Sequence, residues 1–373
     1  MNWQKWFFCP LDTCFFRGPL PFNAGEGGYT TAGNVFPPPV SALQGAIRTS
    51  LAVERGWRPG EKDKWPLELG GADDLGSLEL RGPYLMYNGR CLYPMPLHIM
   101  EKSGNYFRVA PGRPVECDLG RVRLPVLPPG AAGADTAAKK LVNIDGLEKI
   151  LAGGVPANDR EGSDVLDSDL LWGYEERTGI EREDAARTAK EGHIYYSTHV
   201  RPVAGLKIAV FVGGVPDEWR PAPKRLLPLG GEGRIAAVEI AGGDPGEILP
   251  AAPRLRRGGD GKLRFTVTLL TPGFYAGNSG AEGVRRVIRC GPPGVPGECV
   301  SACVGRVEQA GGWDLFKKSP RPLEPVVPAG STWFYVAESG EEERIMALHG
   351  ACTGHRAVYG CGQLVIGTWE EVD

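Results

Sequence analysis

Tyr359-Gly360-Cys361-Gly362-Gln363-Leu364-Val365-Ile366-Gly367-Thr368-Trp369 carries a glycine-rich turn straight into a short apolar strand, behind the helix-like run 341–348. The same order occurs once before. A polar, proline-interrupted run, 216–228, leads into Gly230-Gly231-Glu232-Gly233-Arg234 and then the strand-like stretch 235–240. Two endings of the kind helix, glycine loop, strand predict two copies of one small α+β unit.

Working outward, residues 3–16 (WQKWFFCPLDTCFF) read as an extended, largely buried strand bent at Pro10. Ser41, with Gln44 three residues on, is a capping-box pattern, and Leu43, Ile47 and Leu51 form one stripe of a helix to about Arg55. Residues 56–190 read as a large irregular insertion. Within it, Asn88-Gly89 between two apolar runs signals a hairpin, and Asp145 is the expected N-cap of a short helix to Leu151. Strands over 193–200 and 206–212, a weak helix over 216–228 and strand 235–240 complete the first unit. Residues 242–261 read as a hinge. Strand 263–270, a helix near 283–289, strands 299–307 and 331–336, the helix 341–348 and the closing strand form the second. Both copies follow the order βαββαβ. The expected fold class is α+β: two ferredoxin-like (RRM-like) domains, 1–243 with its insertion at about 56–190, and 244–373.

At 373 residues the chain is long enough for two cores. Its 54 glycines and 33 prolines, close to a quarter of the chain, predict many turns and little helix. A hydrophobic share of 42% excludes a disordered polar chain. Net charge is −3 and the pI about 6.1, which argues against a free-standing nucleic-acid binder but allows a local basic groove. The first six residues lack a basic leader with an apolar core, so no secretory signal is expected, and no apolar run approaches the roughly 20 residues of a membrane span. Nine cysteines, an odd number in apolar contexts, fit reduced thiols in a cytoplasm.

The glycine loops have two readings: an anion nest whose N–H groups meet phosphate, or a tight turn without ligand. GGEGR carries an arginine, and YGCGQ is preceded by His355 and Arg356, so both suit RNA phosphate. Neither matches a P-loop or the dinucleotide fingerprint, and no cofactor is expected. Arg17, Arg48, Arg201, Lys317 and Lys318, placed at strand ends, mid-helix and loop mouths, join Gly230, Gly231, Arg234, His355, Arg356, Gly360 and Gly362 as candidate RNA-binding residues. Among the aromatics that can stack on bases are Phe15, Phe16, Phe22, Tyr29, Phe334 and Tyr335, more of them fitting a core. Cys290, Cys299 and Cys303 lack zinc-ligand spacing and read as packed thiols. The five histidines sit in no catalytic motif, and Asp12 reads as a turn or hydrogen-bonding group.

Leu11-Asp12-Thr13-Cys14-Phe15-Phe16-Arg17 with Pro21-Phe22, Phe36-Pro37-Pro38, and Gly45-Ala46-Ile47-Arg48 resemble the N-terminus of a known family. Further matching pieces are Gly192-His193-Ile194-Tyr195, Val200-Arg201-Pro202, Leu229 to Arg234, Leu270-Thr271-Pro272, Gly312-Trp313-Asp314-Leu315, Val327 to Ser331 and the last glycine loop. In this combination and order the chain resembles the third-subunit family of the type III-B CRISPR (Cmr) effector, within the RAMP superfamily. The resemblance implies two ferredoxin-like units with an insertion in the first and a role without catalysis. It implies binding of the repeat-derived 5′ tag of the CRISPR RNA and docking of the large polymerase-like subunit and the backbone RAMP subunit, away from any membrane. The alternative within the superfamily is a metal-independent endoribonuclease that processes repeat RNA, for which His355 or Tyr359 would have to serve.

Overall fold

The computed structural model describes residues 2–18, 31–117, 120–158, 162–183, 185–219, 221–314 and 319–371. It is α+β, rich in strand and poor in helix. The chain divides into two compact, discontinuous units. One comprises residues 1–88, 169–243 and 309–324; the other comprises 89–168, 244–308 and 325–373.

In the first unit, β1 (Trp3–Pro10) is followed by helix α1 (Val40–Glu54), β2 (Glu79–Tyr87), β3 (Lys207–Gly213), β4 (Lys224–Pro228) and β5 (Ile235–Gly242). The strands lie in the order β2-β3-β1-β5-β4, each neighbour antiparallel. Side chains alternate across a strand, so Trp6 and Phe8 share one face with Val210 and Ile208 on β3 and with Ile240 and Val238 on β5. On α1 the stripe Leu43, Ile47 and Leu51 is buried. Each such side chain contributes roughly 1.5–3 kcal/mol when taken from water. Arg225 on β4 donates to Ser50 Oγ and sits 5.6 Å from the Trp6 ring, tying helix to sheet.

Several local expectations are corrected. Residues 56–190 hold many strands, and Glu79–Tyr87 inside them is a sheet strand beside β3. The stretch 193–200 belongs instead to a long hairpin, Trp172–Arg182 against Ala189–Pro202. Within 216–228 the described residues form no helix; the stretch ends as edge strand β4, since its prolines deny a helix its N–H donors. The cap of α1 is Pro39, with Gln44 Nε2 donating to the Ser41 carbonyl, and the helix Ile144–Leu151 is capped by Asn143, whose side chain accepts from Gly146 N–H at 2.8 Å. The Asn88-Gly89 turn has φ of 50° and 76°, the left-handed pair a primed hairpin turn requires.

The second unit contains β6 (Leu263–Leu269), α2 (Gly280–Cys290), β7 (Glu298–Cys303), β8 (Thr332–Ala337), α3 (Glu342–Met346) and β9 (Leu364–Thr368). Its sheet order is β7-β8-β6-β9, again antiparallel throughout. Phe265 and Val267 lie opposite Tyr335 and Trp333, and they form one core with Leu364, Ile366, Val284, Val287 and Ile345. The other face is covered by the 89–168 segment: His98 packs edge-on against Phe334, and Leu97 N–H donates to the Gly330 carbonyl. Burial on both faces explains why β8 reads TWFYVA without alternation. Among the described residues no helix is long and apolar enough to cross a membrane.

Candidate nucleic-acid interface

The segment leaving β1, Leu11 to Gly18, is anchored from three sides. Leu11 N–H donates to the Ile235 carbonyl; Cys14 and Val200 exchange both main-chain hydrogen bonds, at 2.7 and 3.0 Å; Asn34 Oδ1 accepts from Phe16 N–H. Buried Thr13 lies 3.1 Å from His199 Nδ1, and the His199 ring stacks on Phe15 at 5.1 Å. Burial, with Arg177 and Arg234 nearby, lowers the His199 pKa and keeps the ring neutral.

The first glycine loop is the turn between β4 and β5. Leu229 N–H donates to the Arg234 carbonyl and closes it, while Gly231 N–H donates to Phe15 O at 2.8 Å. Gly230 has φ +81°, and a Cβ there would stand 2.4 Å from Phe15 O, so glycine is required by close backbone approach. The second loop is knitted to the segment leaving β6. Gly362 N–H donates to Pro272 O, Gly360 N–H to Ala357 O, and Thr271 Oγ1 both donates to Gly360 O and accepts from Gln363 N–H. Gly231, Gly360 and Gly362 thus each give their N–H to a carbonyl of the chain itself.

What the first loop does present is charge. Asp12 Oδ1 accepts from Arg201 Nη1 at 2.9 Å, its Oδ2 accepts from Arg234 Nη1 at 2.8 Å, and Arg177 Nη2 lies 3.6 Å away. Glu175 joins Arg177 and Arg201 at 2.7 and 2.6 Å. The hairpin register puts residues 175 and 177 on the face that carries 199 and 201, which is why these side chains meet. The Thr13 N–H first, then Arg201 and Arg177, hold the Asp12 carboxyl below the usual carboxylate range. Beside the network a groove of about 430 Å³ is lined in part by Asp12, Arg201 and Lys207.

The other candidates fall in separate places. Arg17 is exposed and its backbone bridges to Asn34. Arg48 is 7% exposed; it donates to the carbonyls of Gly70 and Gly71 and lies 5.5 Å from the Trp65 ring, so a loop takes the donors a phosphate would need. His355 is exposed and edge-on to Phe274, and the Arg356 guanidinium is 4.9 Å from the same ring. Lys317, Lys318, Phe22 and Tyr29 lie outside the described residues. Phe15, Phe16, Phe334 and Tyr335 are core. The Cys299 and Cys303 thiols are pushed up to about 12 by burial, and among the described residues no group of three or more His, Cys, Asp or Glu is placed to hold a metal.

A repeated peptide escaped the sequence reading. Leu11-Asp12-Thr13-Cys14-Phe15-Phe16-Arg17-Gly18 aligns without gaps to Leu270-Thr271-Pro272-Gly273-Phe274-Tyr275-Ala276-Gly277. The geometry matches it. Gly354, φ +88°, puts its Cβ direction 2.3 Å from Phe274 O, and the next residue, His355, donates its N–H to that oxygen. Gly354-His355 thus does in the second unit what Gly230-Gly231 does in the first, a pairing different from the one the two glycine-rich runs had indicated.

A chain in the cryo-EM structure of the type III-B Cmr-beta complex bound to cognate target RNA is similar at 14% identity, over 88% of this chain and 86% of that one, with a TM-score of 0.49. A chain of the Csm3–Csm4 subcomplex of the type III-A interference complex is similar at 10% identity, over 99% and 100% of the two chains, with a TM-score of 0.44. No curated protein matches. The sequence model for the CRISPR-associated protein family Cas_Cmr3 matches residues 6–369. On that match, which runs through both units, the chain belongs to the Cas_Cmr3 family of CRISPR-associated proteins.

Proposed function

We propose that this chain is a non-catalytic subunit of an RNA-guided antiviral effector, which binds the repeat-derived 5′ tag of the CRISPR RNA and docks the large polymerase-like subunit and the backbone RAMP subunit in the cytoplasm. Family membership supports the setting. The shared strand order, second-third-first followed by the last strand of the unit (β5, with β4 added at the edge, or β9), supports reading both as ferredoxin-like modules. Eight of the nine cysteines are recorded outside any disulfide, which suits a reducing compartment.

One observation carries the RNA contact: Arg177, Arg201 and Arg234, from both arms of the long hairpin and from the first glycine loop, converge on one partly exposed corner. Guanidinium groups fit phosphate oxygens in pairs, and phosphate contacts fix register on RNA without reading its bases. Arg17 on the same exit segment extends the basic edge.

The test is purification of the assembled complex carrying Arg201→Glu with Arg234→Glu. We expect the complex to form with its guide RNA largely lost at moderate salt. Full RNA content in a correctly assembled variant overturns the contact. Cleavage of repeat RNA by the pure wild-type chain in EDTA would replace the subunit reading with the endoribonuclease one.

A further inference from the structure

The two carboxylates in the arginine cluster do different work. Glu175 clasps its neighbours on the hairpin: Oε1 accepts from Arg177 Nε at 2.8 Å, and Oε2 accepts from Arg201 Nε and Nη2 at 2.9 and 2.6 Å. It fixes the two guanidiniums relative to each other. Asp12 belongs to another element, the exit from β1, and gives one oxygen to Arg201 and the other to Arg234. It spans the gap between hairpin and glycine loop. Arg234 Nε is buried and has no hydrogen-bond partner, so this arginine keeps a donor that Asp12 does not use. Three guanidiniums face these two carboxylates directly, and Glu232 of the glycine loop is near enough to act on the His199 ring beside them.

We infer that Asp12 is a built-in anion occupying a phosphate subsite formed by Arg177, Arg201 and Arg234, and that a phosphodiester group of single-stranded RNA takes its place between Arg201 and Arg234. The inference rests on the reading of this chain as an RNA-binding subunit. A carboxylate and a phosphodiester each present two anionic oxygens, so the seat that fits one fits the other, and the phosphate adds the length to engage Arg177 as well. Displacement gives up the Thr13 N–H as well as the guanidinium contacts, but Asp12 is about half exposed, so water screens its ion pairs and solvates the released carboxylate, while the phosphodiester takes over the guanidiniums. The groove beside it, bounded by Leu11, Asp12 and Arg201, leaves room for the carboxylate to swing out. Arg177 and Arg201 stay aligned throughout, because Glu175 holds them independently of Asp12.

Asp12 therefore sets the strength of RNA binding by competition, and it lowers the affinity the arginines would otherwise give. The experiment is fluorescence anisotropy of the full chain with a short single-stranded oligoribonucleotide across a salt series, with a melting curve for each variant. Asp12→Asn removes a full charge at contact distance and should tighten binding about fivefold at low salt, with a steeper fall as salt rises. Arg177→Met should weaken binding about fivefold. If Asp12→Asn binds no tighter than wild type while Arg201→Glu with Arg234→Glu abolishes binding, the built-in anion is refuted and the RNA contact stands. If the double reversal binds like wild type, the RNA reading itself fails. Should Asp12→Asn not fold, Arg177→Met decides: unchanged affinity in that variant overturns the subsite.

Discussion

The Cα of Gly230 approaches the main chain of Phe15 so closely that a Cβ would lie 2.4 Å from the Phe15 carbonyl oxygen. That one contact docks the β4–β5 turn on the segment leaving β1, and with it brings Arg234 to Asp12. A glycine here serves structure directly and charge placement indirectly.

Gly230→Ala should destabilise the chain by about 2 kcal/mol or more, since the new methyl collides with backbone and φ is +81°. Gly233→Ala, three residues on at φ +63° but facing open space, should cost only about 1 kcal/mol. Chemical denaturation of both variants makes the comparison; equal losses would mean that the Phe15 approach is unimportant.

Arg48→Ala should lower stability by about 2 kcal/mol while leaving RNA affinity at the wild-type value. The change strips donors from the carbonyls of Gly70 and Gly71 and a cation from the Trp65 ring. Weaker RNA binding by a folded Arg48→Ala chain would restore this residue to the interface.

Acid should destabilise the protein through its buried histidines. His349 Nδ1 accepts from Ile366 N–H and its Nε2 lies 2.9 Å from the Pro250 carbonyl, an arrangement that needs the neutral ring. Burial lowers its pKa, and burial lowers that of His98 well below the ordinary value. The folded rings therefore bind fewer protons than the unfolded chain. Their stabilising effect is complete above the ordinary histidine pKa of about 6.5 and is lost as pH falls below it. His349→Asn should flatten the slope of stability against pH between roughly 6.5 and 5. An unchanged slope assigns the acid sensitivity elsewhere.

Thiol alkylation of the native protein should begin at exposed Cys290 and spare Cys14, Cys91 and Cys361, which are buried. Burial also pushes the Cys14 thiol up to about 12, which leaves little thiolate at neutral pH. Mass spectrometry after brief treatment reads the order directly. Early labelling of Cys14 would show that the exit segment opens in solution.

The second unit was the more legible half. The six elements from Leu263 to Thr368 lie close to where periodicity put them, because Leu263–Leu269, Thr332–Ala337 and Leu364–Thr368 are apolar runs bounded by glycine or proline. The first unit was harder. Glu79–Tyr87 contains a proline and a glycine, and its place beside β3 is decided by pairing across more than a hundred residues. The stretch 193–200 alternates like a sheet strand and is one, but in a hairpin with Trp172–Arg182. Alternation says that a strand exists and is silent about its neighbour.

From the residues alone came the α+β fold class, the family resemblance and the places where glycine turns the chain. Local chemistry suffices for these: turn residues, apolar period and side-chain type depend on near neighbours in the chain. Only the tertiary structure decided that Gly231, Gly360 and Gly362 give their N–H groups to the chain's own carbonyls, that Arg48 faces a loop, and that Asp12 stands among three arginines drawn from separate elements. Those outcomes depend on contacts between residues as far apart in sequence as 12 and 234, and charge pairing at that range is fixed by how the strands pack.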